Sequence, residues 1–142
     1  GPSPEAAGGA ASAGPGATPE PPLVLVVDDE EAIRRLTRTF FARSGYRVAL
    51  AANGREALEL LRGGLRPAVL VVDLAMPVMD GRKLLAAVRA DPELARIPAV
   101  IVSAYLPPDG LDLGFPVETI AKPANLRQLL DAVRRARGLP GE

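Results

Sequence analysis

The chain has 142 residues, which is room for one compact domain. Its 17 Lys+Arg balance 17 Asp+Glu, so no global basic field points to nucleic acid, and no apolar run approaches the roughly 20 residues of a membrane span. Cys and His are both absent, which excludes disulfides, thiolate and imidazole metal sites, Ser-His-Asp triads and His bases; chemistry must rest on carboxylates, lysine, hydroxyls, backbone and a hard metal.

Residues 1–22 hold five Gly, six Pro and six Ala, with Glu5 and Glu20 as their only charges. With no large apolar side chain to bury, this stretch reads as a disordered tail, and Gly1-Pro2 resembles the scar of a cleaved tag. Leu23 to Val27 is a short, continuously apolar run that stops at Asp28-Asp29-Glu30-Glu31, as a strand buried on both faces does. Ile33, Leu36, Phe40 and Phe41 follow at helical spacing, and Gly45 supplies the stop. Tyr46 to Ala51 reads as a second strand. Asn53 caps a helix through Leu61, with Ala57, Leu58 and Leu61 inside and Gly63-Gly64 ending it. Ala68 to Val72 is a third strand, ending on Asp73. The loop Leu74-Ala75-Met76-Pro77-Val78-Met79-Asp80-Gly81 leads into a helix carrying Leu84, Leu85 and Val88. Pro98 to Val102 and Val117 to Ala121 are the fourth and fifth strands, ending at Ser103-Ala104 and Lys122-Pro123. Asn125 caps a last helix with Leu126, Leu129, Leu130 and Val133 inside and Arg134, Arg135 and Arg137 in its final turn.

Alternating strands and helices predict an α/β domain over residues 23–138 with a mostly parallel sheet, followed by a short C-terminal tail at 139–142. The stretch 104–116 breaks the pattern: Pro107, Pro108, Gly110, Gly114 and Pro116 leave space for about one helical turn, so this crossover is expected to be an irregular loop.

In an open α/β sheet, ligands bind beyond the carboxyl ends of the strands. Those ends carry Asp28 and Asp29, then Asp73, Ser103 and Lys122. Each has an ordinary reading when taken alone: helix cap, acidic first turn, turn serine, surface lysine. Four strands delivering such groups to one rim favours a site. Three carboxylates in one place repel each other and would have raised pKa values unless a cation sits among them, and oxygen-only ligation selects Mg²⁺ more readily than Zn²⁺. Beside such a cation a carboxylate can act as nucleophile toward phosphorus, with the Ser103 hydroxyl and the Lys122 ammonium as donors to the phosphoryl oxygens. Lysine is scarce, two residues against fifteen arginines, which adds weight to a lysine at this rim.

Val-Val-Asp28-Asp29-Glu30, Val-Val-Asp73-Leu-Ala-Met-Pro-Val-Met-Asp-Gly, Val-Ser103-Ala104 and Lys122-Pro123 together resemble the receiver domain of two-component response regulators, similar to single-domain chemotaxis-type regulators. The resemblance covers about residues 23–137. It implies a flavodoxin-like, doubly wound five-stranded parallel sheet of order 2-1-3-4-5, here with a shortened or missing fourth helix. It implies that Asp73 takes a phosphoryl group from a phosphohistidine on a histidine kinase or histidine phosphotransfer protein. Asp29, Asp73 and the Ala75 backbone carbonyl would bind Mg²⁺, and Asp28 would act mainly through water. Ser103 and Lys122 would contact the phosphoryl group, and the Lys122-Pro123 bond would be cis. The family's usual aromatic residue three positions before its lysine is Thr119 here, so the face that reports phosphorylation departs from the pattern.

The expectation is therefore a cytoplasmic, bacterial, non-enzymatic phosphorelay module, monomeric or weakly dimeric, that switches binding of a downstream protein target without nucleic acid or membrane. The alternative is a phosphorylation-independent interaction module with an altered 104–121 face. A phosphohydrolase of another α/β family fits less well, because Asp28-Asp29-Glu30 lacks the Asp-x-Asp spacing such enzymes place after their first strand.

Overall fold

Valine- and leucine-rich segments too short for helices form the centre of the molecule, and each is followed by a segment with helical periodicity. The computed structural model describes residues 20–74, 81–103, 118–122 and 125–138. In chain order the elements are β1 (Leu23–Val27), α1 (Glu31–Arg43), β2 (Arg47–Ala51), α2 (Gly54–Arg62), β3 (Val69–Asp73), α3 (Gly81–Ala90), a 3-10 turn (Leu94–Arg96), β4 (Ala99–Ser103), β5 (Glu118–Ala121) and α4 (Leu126–Ala136). The strands form one parallel sheet in the order β2-β1-β3-β4-β5. The strand order reverses at β1, so the carboxyl ends of β1 and β3 flank the crevice where such sheets place their sites.

Two strand ends extend one residue beyond the pattern read from the sequence. Asp73 pairs with Val102 and Ser103 pairs with Ala121. Both polar residues are thus the last rungs of the ladder, and the sheet itself fixes their backbones.

Alternation along the strands feeds two cores. Leu25, Val27, Leu70, Val72 and Ile101 pack with Leu58 and Leu61 of α2 and Leu84, Leu85 and Val88 of α3. On the opposite face Val24, Val26, Val69, Val71, Val100 and Ile120 pack with Phe41 of α1 and Leu129, Leu130 and Val133 of α4. The caps read from the sequence form: the Asn53 side chain accepts from the Glu56 N–H, and Asn125 makes a reciprocal capping box with Gln128. Gly45 adopts φ +94°, a left-handed conformation that lets the chain leave α1 and start β2.

Helical spacing alone does not mark the buried stripe of α1. Its buried residues are Thr37 and Phe41, whereas Ile33 and Leu36 are 40% and 59% exposed and Phe40 is half-buried. The helix turns the stripe led by Thr37 and Phe41 toward the sheet, so Ile33 and Leu36 face the space between α1 and α4. The Leu126 side chain of α4, expected inside, is instead half-buried on the other side of that space. Residues 1–19 and 139–142 of the tails, the Ala75 carbonyl, the 104–116 crossover and the Lys122-Pro123 bond lie outside the described residues, whereas Pro22, the end of the N-terminal stretch, accepts from the Arg47 N–H at 2.8 Å.

Candidate functional site

β1 is apolar to its last residue, and the two acids that follow leave the sheet at its carboxyl edge. Asp28 is 7% exposed and Asp29 is exposed, while Asp73 at the end of β3 is 5% exposed. One carboxylate oxygen from each of Asp28, Asp29 and Asp73 lies within 4.8 Å of the others. Burial pushes the Asp28 carboxyl above its ordinary range; the Glu30 N–H, which donates to its Oδ1 at 2.9 Å, pulls it back, and the charge of Asp73 adds to the push.

Lys122 follows β5 and reaches back across the rim. Its Nζ donates to Asp73 Oδ2 at 3.0 Å, from an ammonium group whose side chain is 31% exposed. Burial alone would lower the Lys122 pKa. The hydrogen bond and charge of Asp73, with Asp28 and Glu30 behind it, outweigh burial and hold the group above its usual value. The Lys122 N–H also donates to the Ser103 carbonyl at 2.7 Å, which ties the end of β5 to the end of β4. Ser103 is buried at 7% exposure, one rung beyond the Val102 that pairs with Asp73. Of the residues singled out from the sequence, the structure gathers Asp28, Asp29, Asp73 and Lys122 into one cluster and sets Ser103 on the same edge.

Three features of the site were not legible beforehand. The first is Gly81, read from the sequence only as a turn residue. A Cβ there would stand 2.6 Å from the Asp73 carbonyl oxygen and 2.8 Å from Leu74 Cα, while its N–H donates to the Leu74 carbonyl at 2.9 Å. The first turn of α3 can therefore lie against the backbone of Asp73 only because position 81 has no side chain. The second is Arg34, whose Nη1 donates to the Asp28 carbonyl at 2.7 Å. The third is a groove of about 730 Å³ that starts at Asp28, Asp73 and Lys122 and runs between α1 and α4, lined by Ile33, Leu36, Thr37, Leu126 and Leu129.

Three clustered carboxylates with one ammonium beside them suit a small hard cation: all donors are oxygens, and the charge of Asp73 itself raises the Asp28 pKa. The same rim offers a carboxylate nucleophile and donors for an anion. No helix among the described residues is long and apolar enough to cross a membrane.

Comparison with known proteins agrees with this geometry. The family model described as the response regulator receiver domain matches residues 24–134. The chain is 32% identical over 116 residues to sporulation initiation phosphotransferase F of Bacillus subtilis, an alignment that covers 79% of this chain and 90% of that protein. Other curated relatives are longer, and the matched region makes up 17% of one and 23% of another. Among solved structures, chemotaxis protein CheY4 of Vibrio cholerae superposes with a TM-score of 0.74 at 32% identity, covering 81% of this chain and 98% of that one. The phosphorylated cyanobacterial phytochrome response regulator RcpA gives a TM-score of 0.65 at 32% identity, over 82% of this chain and 89% of that one. Sheet order, the acidic edge and a family match over most of the described fold lead to one assignment: this chain belongs to the response regulator receiver domains, the non-enzymatic signalling modules of two-component systems.

Proposed function

We propose that Asp73 accepts a phosphoryl group from a phosphohistidine on a histidine kinase or phosphotransfer protein, and that the aspartyl phosphate switches binding of a downstream protein. The observation that carries this is the Asp73 carboxylate itself, fixed on the last rung of β3, hydrogen-bonded to Lys122 and within 4.8 Å of two further carboxylates. An Asp73 oxygen attacks phosphorus, an O–P bond forms as the donor's N–P bond breaks, and the imidazole leaves with the electron pair and takes up a proton. Asp28, Asp29 and Asp73 would hold Mg²⁺, with the Ala75 carbonyl as a further ligand. Bound there, the ion supplies charge neutralisation between the carboxylate and the incoming phosphoryl oxygens.

Lys122 then exchanges its carboxylate partner for a phosphoryl oxygen, and the Ser103 hydroxyl donates to another. New contacts at these two residues bias the ends of β4 and β5, the elements through which the site communicates with α4. Relatives support the chemistry: one is named a phosphotransferase and another was solved in a phosphorylated form. The groove supports a protein as the donor, because two large apolar side chains, Ile33 and Leu36, are exposed beside Asp73.

Intact mass after incubation with acetyl phosphate tests the reading. A Mg²⁺-dependent gain of one phosphoryl group, absent in Asp73→Asn, is expected; uptake that persists in the variant removes Asp73 from its role. The exposed Thr119 on β5, where the family usually has an aromatic residue, favours a second reading in which a partner binds regardless of phosphorylation. Equal partner affinity for the wild type with and without phosphate would establish it.

A further inference from the structure

Two of the three clustered carboxylates belong to a connection of only three residues, Asp28 to Glu30, between β1 and α1. No proline stiffens it, and the N-cap Glu30 makes no side-chain cap bond. Hydrogen bonds set its shape instead. The Asp28 N–H donates to the Ala51 carbonyl at 3.1 Å, and the Glu30 N–H donates to Asp28 Oδ1 at 2.9 Å. The Arg34 N–H donates to the Glu30 carbonyl at 3.0 Å, as the first turn of α1 requires. The fourth bond is of another kind: the Arg34 guanidinium turns back from the second turn of α1, and its Nη1 donates to the Asp28 carbonyl at 2.7 Å.

We propose that Arg34 is a positioning residue for the cation site, holding the Asp28-Asp29 main chain at the angle from which both carboxylates meet Asp73. It touches neither carboxylate. Its bond goes to the carbonyl on the peptide that joins the two acids, so it fixes the plane of that peptide and with it the directions of both side chains. A guanidinium suits the task because it stays charged, and a charge-assisted bond to a carbonyl is short and strong. The proposal deepens the cation reading given above and rests on it.

Charge and position predict opposite signs. Arg34 is a cation close to a cation site, so if it acted only through its charge, removing it would tighten Mg²⁺ binding. If it acts by holding the connection, removing it loosens binding in spite of the charge relief.

The test is Mg²⁺ titration of the full chain without any phosphoryl donor, followed through the backbone amide resonances of Asp29 and Glu30. Wild type, Arg34→Met and Arg34→Lys are compared, with a thermal melt of each in EDTA. Arg34→Met keeps the apolar stem and is expected to weaken Mg²⁺ about tenfold, the usual loss on removing a residue that orients metal ligands. Arg34→Lys keeps a donor and is expected to restore most of that loss. Unchanged or tighter Mg²⁺ binding in Arg34→Met overturns the proposal. So does weaker binding in Arg34→Met that Arg34→Lys does not restore, because a donor at position 34 would then not be what sets the connection. An early melt with Mg²⁺ affinity unchanged below the transition also overturns it, by making Arg34 a stabilising residue only. Failure of the wild type to bind Mg²⁺ overturns the cation reading itself, a result distinct from any of these.

Discussion

The two faces of the sheet are filled from the same strands by the same alternation, yet they end differently at the carboxyl edge. On the α2/α3 face the core is closed: Leu25, Leu61, Leu70, Leu84 and Ile101 are fully buried, and Leu94 of the 3-10 turn is 1% exposed. On the α1/α4 face the lower part is equally tight, with Phe41 set edge-on to Tyr46 and Arg137 stacked over the same tyrosine. Toward the acids it opens into the groove between Ile33 and Leu36 on one side and Leu126 and Leu129 on the other. The closed face stabilises the fold and holds Asp73 through α3. The open face gives up burial beside the site, where the proposed phosphoryl donor would approach.

The largest effect should come from the closed face. Leu84→Ala leaves a cavity against β3 and is expected to lower stability by about 3 kcal/mol in denaturant unfolding. A loss below about 1 kcal/mol would mean that α3 is loosely seated and the contrast between the faces is weaker than described. Gly81→Ala comes next. It forces a methyl group into the backbone of Asp73 and Leu74, so a cost of about 2 kcal/mol is expected, together with slower phosphoryl uptake by the folded fraction. Full stability with normal uptake would show that α3 can retreat without disturbing the phosphoacceptor.

A smaller effect depends on pH. Asp28 has its pKa raised in the folded state, so between its ordinary and its raised value the folded chain holds a proton that the unfolded chain has released. The contribution of this group to stability is therefore fully present below its ordinary value of 3.8 and is lost as pH rises through the raised value. In EDTA, Asp28→Asn should be more stable than the wild type at neutral pH, and the difference should vanish in acid. A wild type that gains stability relative to the variant as pH rises would contradict the burial of an uncompensated carboxylate. The smallest effect on stability should be Leu36→Ser on the open face, a change within about 0.5 kcal/mol. Its consequence should appear instead as weaker affinity for the phosphoryl donor protein, read by titration. A large loss of stability would show that Leu36 is covered within this chain.

What the sequence revealed follows from where its signals are local. An apolar run that stops at a polar or charged residue locates a strand end, so Asp28, Asp73, Ser103 and Lys122 could be placed on one rim from the sequence. Asn53 and Asn125 announce their helices because a cap bonds only two or three residues away. The orientation of α1 was not legible. Ile33, Leu36, Phe40 and Phe41 share helical spacing, but which stripe meets the sheet is decided by how α1 packs on β1 and β2, and Thr37 takes the buried place. Gly81 and Arg34 were missed for a related reason. Each acts on a backbone group that only the fold brings near: Gly81 on β3, and Arg34 on a carbonyl that a helical pattern gives no reason to expect as its partner.

The central claim is that the Asp73 side chain, and not one of its two acidic neighbours, carries the phosphoryl group. Borohydride reduction of the acetyl phosphate-treated chain converts an aspartyl phosphate to homoserine, and peptide sequencing by mass spectrometry locates it. Homoserine at position 73, dependent on Mg²⁺, is the predicted result. Homoserine at position 28 or 29 would contradict the account, as would its absence from a chain that binds Mg²⁺ and has been exposed to its phosphorylated partner.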